Sequence, residues 1–209
     1  MEHCRQILQQ GLQSLNIPVS DKQLDTLLAF IKLIEKWNKA YNLTAVRNLE
    51  DMARIHILDS LAVLPYIEGK RIADIGTGAG LPGIPLAIFL PDVEFTLVDS
   101  NSKKTRFVQQ AILELKLKNV NVIHSRVENI QADMLFSTVI MRAFASIQEI
   151  ISLTSRLIDS SGILLAMKGQ KPTDELNSIS NEYSIISIKI PELEAERCLI
   201  RIKGKLNNG

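Results

Sequence analysis

The sequence predicts an α/β protein: a seven-stranded, mostly parallel sheet with helices on both faces and an antiparallel last strand, preceded by a helical extension. Three observations carry this prediction. From residue 70 onward, short apolar runs alternate with amphipathic segments, the pattern of a parallel sheet wrapped by crossover helices. At the first such junction, Arg71-Ile-Ala-Asp-Ile-Gly-Thr-Gly-Ala-Gly-Leu-Pro-Gly83 passes from apolar strand to acid to glycine turn to helix. Before residue 67, apolar residues recur only at helical spacing.

Taken in order, Ile7, Leu8, Leu12 and Leu15 form a helical stripe that Asn16-Ile-Pro18 interrupts. Ser20-Asp-Lys-Gln23 is a capping-box start, and Leu24, Leu27, Leu28, Ile31, Ile34 and Trp37 make the core face of the helix behind it. A polar linker, 38–48, leads to Asn48-Leu-Glu-Asp51, which caps a third helix through Ile55, Leu58, Leu61 and Leu64. No Gly-rich linker follows, so residues 1–66 are expected to pack as a cap on a main domain of residues 67–209. Strands are predicted at 70–75, 93–99, 119–124, 137–142, 162–168, 184–190 and 197–203. Helices are predicted at 83–90, 102–116, 146–158 and 173–181. The last two strands, joined through Pro191-Glu-Leu-Glu194, read as an antiparallel hairpin ending the sheet.

Composition narrows the partners. The 209 residues are 46% hydrophobic and 22% charged, enough to bury a core without disulfides. Cys4 and Cys198 have no metal-ligand spacing, and no metal is expected. The polar start carries no signal-peptide pattern and no apolar run is of bilayer length, so a cytoplasmic protein without a membrane anchor is expected. A net charge of +1 is uninformative about polyanions taken globally; a protein binding duplex through charge alone is usually more basic, so any nucleic acid must be recognised by local patches or a shaped site.

The acid–glycine corner is the first candidate site. Gly76, Gly78 and Gly80 remove side chains that would hold a ligand off the backbone, and the helix start offers free N–H groups. A dinucleotide fingerprint requires a third glycine at position 81, which is Leu81. With Asp74 two residues before Gly76, the corner suits a ligand with a cationic, amino-acid-like end better than a pyrophosphate. A tight αβ turn that binds nothing is the competing reading. Ligands of open α/β sheets sit beyond the carboxyl ends of the strands. Asp99, after the second strand, is placed to accept from ribose hydroxyls, with a helix N-cap as its alternative. Val127 and Glu128 follow the third strand, where an adenine would lie. Arg142 ends the fourth, as a site residue or a structural ion pair. Lys168 ends the fifth. Together these describe an S-adenosylmethionine pocket in the order of a class I (Rossmann-like) methyltransferase.

The chain also resembles, over essentially its whole length, the bacterial small-subunit rRNA guanine-N7 methyltransferases, also called glucose-inhibited division protein B. The resemblance rests on Trp37-Asn-Lys-Ala-Tyr-Asn-Leu-Thr44, His56-Ile-Leu-Asp-Ser-Leu61, Asp74-Ile-Gly-Thr-Gly-Ala-Gly-Leu-Pro-Gly-Ile-Pro85, Val98-Asp-Ser-Asn-Ser-Lys-Lys104, Ser125-Arg-Val-Glu128, Arg142-Ala-Phe-Ala-Ser146 and Glu196-Arg-Cys-Leu199. It implies cofactor contacts at Gly76, Gly78, Leu81, Val127, Glu128 and Arg142, with Asp99 as the acid after the second strand. It implies one guanine of the decoding-region loop of 16S rRNA as substrate, in or on the way to the small subunit. Cys198 departs from the pattern, where another polar residue such as His is expected.

Guanine N7 has an exposed lone pair and no proton, so methyl transfer to it requires positioning and no general base. No catalytic base is assigned; Arg142 and Arg197 are positioning candidates. No Asn/Asp-Pro-Pro-aromatic turn follows the fourth strand, and neither cysteine is expected beside the crevice as a nucleophile. RNA contact is expected from Lys103, Lys104, Arg126, Lys168 and Arg197, with Arg106, Lys171 and Arg201 near the same edge; for each single lysine the competing reading is a solvated charge, which prevails for most of them. Lys32, Lys36, Lys39 and Arg47 extend the patch if the helical cap folds over it, and Tyr41 is the candidate stacker. His56 and Asp59, one helical turn apart, are expected to tie the third helix to the domain. A monomer is expected. A small-molecule methyltransferase with residues 1–66 as a lid, and a non-catalytic RNA-binding assembly factor, remain the alternatives; a dehydrogenase is disfavoured by Leu81.

Overall fold

The computed structural model describes residues 1–131, 135–142, 145–191, 193 and 195–203. Helix α1 is Glu2–Ser14 and α2 is Asp21–Tyr41, which opens on the capping box of Ser20 and Gln23. A third helix, α3, runs over 49–61; its central stretch, Met52–Leu58, is wound as a π-helix. It ends three residues before Leu64, which instead starts a short 3-10 turn with Pro65. Strands follow at β1 (Arg71–Ile75), β2 (Glu94–Asp99), β3 (Val120–His124), β4 (Phe136–Arg142), β5 (Ile158–Lys168), β6 (Tyr183–Ile188) and β7 (Arg197–Lys203). Between them lie α4 (Gly83–Phe89), α5 (Ser102–Leu115), α6 (Ile147–Thr154) and α7 (Thr173–Asn177).

The seven strands form one sheet in the order β3-β2-β1-β4-β5-β7-β6. The first five are parallel, and β7 runs antiparallel to both β5 and β6. The expected terminal hairpin is present, with β7 inserted between β5 and β6 so that the penultimate strand becomes the edge. Parts of its connection, Glu192 and Glu194, lie outside the described residues, as do Ala143 and Phe144 of the motif after β4.

Two predicted helices are shorter than the pattern suggested. The 146–158 segment stops at Thr154 and tightens into a 3-10 turn, Ser155–Leu157, because Ile158 already pairs with Phe136 in the sheet. The 173–181 segment ends at Asn177, where the Ser178 hydroxyl donates back to the Glu175 carbonyl.

Side chains alternate across the sheet and divide the interior in two. Ile72 and Leu97 face a core shared with α1, α2, α3, α4 and α5; Ala73, Val98 and Val139 face a second core with α6. The N-terminal helices thus share one core with a face of the sheet. Phe30 and Trp37 of α2 both pack on Phe107 of α5. That packing brings α3 to the carboxyl end of the parallel strands, where the site lies.

Candidate functional site

The corner after β1 is held from three sides. The N–H groups of Gly76 and Thr77 both donate to the Val98 carbonyl, at 2.8 and 3.0 Å. Beneath the loop, Asp74 Oδ2 accepts from the Thr77 hydroxyl (2.7 Å) and the Gly83 N–H (2.8 Å). Asp74 is fully buried, its Oδ1 has no partner, and burial pushes its pKa up to about 6. Its carboxylate therefore shapes the loop from below, and it is not among the residues lining the cavity above.

Gly76 and Gly78 sit at φ +71 and +59, in the left-handed region that a side chain disfavours. A Cβ on Gly76 would meet nothing within 4 Å, and one on Gly78 only the Gly76 carbonyl at 3.9 Å. The space these glycines leave empty is therefore not filled by the protein itself. Gly78 also donates its N–H to Asp99 Oδ2 at 2.9 Å, while Asp99 Oδ1 accepts from Asn101 N–H. The cap of α5 is Asn101, which accepts from Lys103 and Lys104, so Asp99 is released from the helix-cap role that competed for it.

The corner opens into a cavity of about 490 Å³ that runs to the N-terminal helices. Gly76, Gly78 and Leu81 line it from the corner, Arg142 and Lys168 from the ends of β4 and β5, Arg197 from the start of β7, and His56 and Asp59 from α3. Asp59, 5% exposed, joins two strand ends to α3: Arg197 Nε donates to its Oδ1 at 3.1 Å, and Arg142 Nη1 lies 3.5 Å from its Oδ2. Burial raises the Asp59 pKa, and the two guanidiniums oppose that rise. Arg142 thus lines the cavity and forms the ion pair that is one of its two readings. The expectation for Asp59 as a tie holds as well.

His56 is buried, and burial, with Arg142 nearby, lowers its pKa to about 4, so the ring is neutral. Its Nε2 contacts the Thr44 hydroxyl at 2.8 Å, and its Nδ1 has no hydrogen-bond partner. Thr44 is held in turn by Asn38, whose amide binds both the N–H and the carbonyl of Thr44 and the Val46 carbonyl. The two motifs around Trp37 and His56 thus build one wall of the cavity. Their chemistry was visible in sequence; their meeting was not.

Several predicted contacts are placed differently. Lys168 donates to the Ala145 carbonyl (2.7 Å) and pairs with Glu175 (3.1 Å), its side chain 10% exposed, so its charge is already matched. Arg201 pairs with Glu68, whose N–H and carbonyl bond Thr138 beside the start of β1, away from the cavity. Tyr41 stacks on Trp37 with centroids 5.1 Å apart, so one ring face is covered. Arg47 bonds the Asn42 side chain. Cys198, expected away from the crevice, lines it; burial raises its thiol pKa and the thiol donates to the Gln170 carbonyl, which makes it a poor nucleophile. Lys103, Arg106, Arg126, Lys171, Lys32, Lys36 and Lys39 are exposed, and Lys104 lines the cavity mouth. Val127 and Glu128 lie on a 3-10 turn after β3, whose last residue His124 pairs with Asp99; neither they nor Asp99 are among the residues lining the cavity. Among the described residues no group of His, Cys, Asp and Glu is arranged to hold a metal, and no helix is long and apolar enough to cross a membrane.

Solved structures share this architecture at low identity. A SAM-dependent methyltransferase from Aquifex aeolicus superposes with a TM-score of 0.58 at 15% identity, covering 84% of this chain and 98% of that one. M. jannaschii TYW2 in complex with AdoMet gives 0.55 at 16% identity over 70% and 74%. The fold is that of class I S-adenosylmethionine methyltransferases. Sequence is more specific. The Nitrosococcus oceani ribosomal RNA small subunit methyltransferase G is 46% identical over 202 residues, 95% of this chain and 94% of that protein. Its Salmonella arizonae namesake is 47% identical over 196 residues, 92% and 95%. The profile of the GidB family, described as rRNA small subunit methyltransferase G, matches residues 23–199, a span that holds the glycine corner, the α3 wall and both arginines. The chain belongs to that family.

Proposed function

We propose that this enzyme transfers a methyl group from S-adenosylmethionine to N7 of a guanine in 16S rRNA, within or on the way to the small ribosomal subunit. The observation that carries the cofactor assignment is the unfilled space in front of two left-handed glycines, with the Asp99 carboxylate bonded to one of them. A Cβ at either glycine would fill that space. Asp99 keeps lone pairs for ribose hydroxyls, Val127 and Glu128 on the turn after β3 serve the adenine, and Leu81 supplies an apolar wall. Asp74 acts from below by holding the loop. Arg142 and Arg197, fixed by Asp59, are positioning groups in the cavity wall.

When bound, the cofactor supplies an electrophilic methyl carried on a sulfonium. The chain's own residues have to align the base and exclude water. N7 carries no proton, and the imidazole in the cavity wall, with a pKa near 4, is a weak base; the reading requires none. Residues 1–66 act as a cap on a catalytic domain of 67–209, and exposed Lys103 and Arg126 with Lys104 at the mouth are the RNA-contact candidates. The enzyme works as a monomer in the cytoplasm, where ribosomes are.

Purified small subunits from cells lacking the protein, incubated with tritiated S-adenosylmethionine and the enzyme, should gain label in 16S RNA. Nuclease digestion and mass spectrometry should then return N7-methylguanosine. Label confined to small molecules would leave a small-molecule methyltransferase; no cofactor binding at all would leave an assembly factor.

A further inference from the structure

Arg156 belongs to none of the motifs and lies outside the cavity, yet it makes a distinctive contact. It sits in the 3-10 turn between α6 and β5. Its Nη2 donates to the Val127 carbonyl at 2.6 Å and its Nη1 to the Ile130 carbonyl at 2.7 Å. Those two carbonyls lie at the start of, and just beyond, the single turn Val127–Asn129. One planar fork therefore spans the turn, a geometry that guanidinium offers and a lysine ammonium does not.

The turn is otherwise tied at its approach. Ser125 N–H donates to the Asp99 carbonyl at 3.2 Å, and His124 pairs with Asp99 across β2 and β3. The Val127 side chain packs on the second core, beside α6. The segment is thus anchored to Asp99 at one end and to the α6–β5 connection at the other. No side-chain cap supports it. Without the fork, a single 3-10 turn on the surface is short and poorly stabilised. Hydrogen bonds from a charged donor are stronger than neutral ones, and a planar fork on two carbonyls also fixes the backbone between them.

We propose that Arg156 is a positioning residue for the adenosine end of the cofactor: it holds the Val127–Glu128 turn in its binding shape before the cofactor arrives. This rests on the reading that Val127 and Glu128 contact the adenosine. Prepaid ordering of the turn appears as affinity and leaves the chemistry untouched, since Arg156 touches neither methyl donor nor guanine.

The test uses Arg156→Met and Arg156→Lys in the full-length enzyme, titrated calorimetrically with S-adenosylhomocysteine and with 5′-methylthioadenosine. The Met variant should bind both about ten-fold more weakly, and the Lys variant, reaching one carbonyl, should fall between. The turnover number at saturating cofactor should stay at the wild-type value. Unchanged affinity in a folded Met variant overturns the proposal. So does a loss seen with S-adenosylhomocysteine but absent with methylthioadenosine, which would put the defect at the methionine end. A fall in turnover with unchanged affinity also overturns it. If the Met variant does not fold, the Lys variant alone decides by the same criteria. Val127→Asp and Glu128→Ala separate the two layers: if both bind normally, the assignment of the turn to adenosine fails. If they bind weakly while Arg156→Met binds normally, only the role of Arg156 fails.

Discussion

Replacing Gly78 with valine places two γ-carbons in the space that the corner leaves open. The residue sits at φ +59, so any side chain carries backbone strain of about 1–2 kcal/mol there. A Cβ, however, meets no protein atom closer than the Gly76 carbonyl at 3.9 Å. For a chain of this size the strain should lower Tm by roughly 2–8 °C. Helix content should remain near wild type. Binding should suffer more, since the added methyls occupy the approach path to the loop and must be accommodated as overpacking. The expected loss is about 100-fold in affinity for S-adenosylhomocysteine. Gly83→Ala gives the contrast. Its Cβ would lie 2.1 Å from Leu97 Cδ2 and 2.8 Å from Asp74 Oδ2, inside the protein, so stability should fall by about 1–3 kcal/mol. Calorimetric titration alongside circular dichroism melts separates the two. A folded Gly78→Val protein that binds within two-fold of wild type would refute the reasoning, and the corner would be a turn only.

Asp99→Ala removes the acceptor for Gly78 N–H and the ribose, and should weaken cofactor binding by about 1–3 kcal/mol; unchanged affinity would count against the ribose assignment. Asp74, raised to about 6 from 3.8, takes up its proton in the folded state first, so its contribution to stability rises as pH falls from 7 to 4, by up to about 3 kcal/mol. His56, lowered to about 4, acts in the opposite direction below pH 6.5, so the measurement is the difference between wild-type and Asp74→Asn melting curves across pH; a difference that does not change with pH refutes the assignment. Asp59→Asn leaves Arg142 and Arg197 without their shared carboxylate and should cost about 2–3 kcal/mol after allowance for their partial exposure. In an Arg197→Met background that cost should shrink, and additive losses in urea melts would show that Asp59 does not act through Arg197.

Local chemistry made the sheet legible. Apolar runs of strand length, the acid–glycine turn after β1 and the capping box of α2 each specify their own conformation within a few residues, and each expected strand overlaps an observed one, although β5 starts at Ile158 instead of 162 and β6 ends at Ile188 instead of 190. Where the pattern misled, the reason was in one case a partner remote in sequence and in another a local bond, the Ser178 hydroxyl on the Glu175 carbonyl. Ile158 leaves the predicted helix because Phe136 pairs with it, and α3 keeps its apolar stripe while its middle turns widen into a π-helix.

By itself the sequence determined the fold class, the family, and most residues of the corner, because each depends on residue types at fixed short spacing. Only the tertiary structure decided who meets whom. Asp59 reaches Arg142 across 83 positions and Arg197 across 138, and the ion pair they form turns three unrelated motifs into one wall. Lys168 and Arg201 carry the same charge as Lys104, and only their neighbours show that Glu175 and Glu68 already match them. Arg156 had no signal at all: its sequence reads as part of an ordinary helix, and its significance comes from the turn it occupies and from two carbonyls that the chain brings beside it from 26 and 29 residues away. Backbone carbonyls are present at every residue, so a side chain that binds them leaves no trace in the identity of its partners.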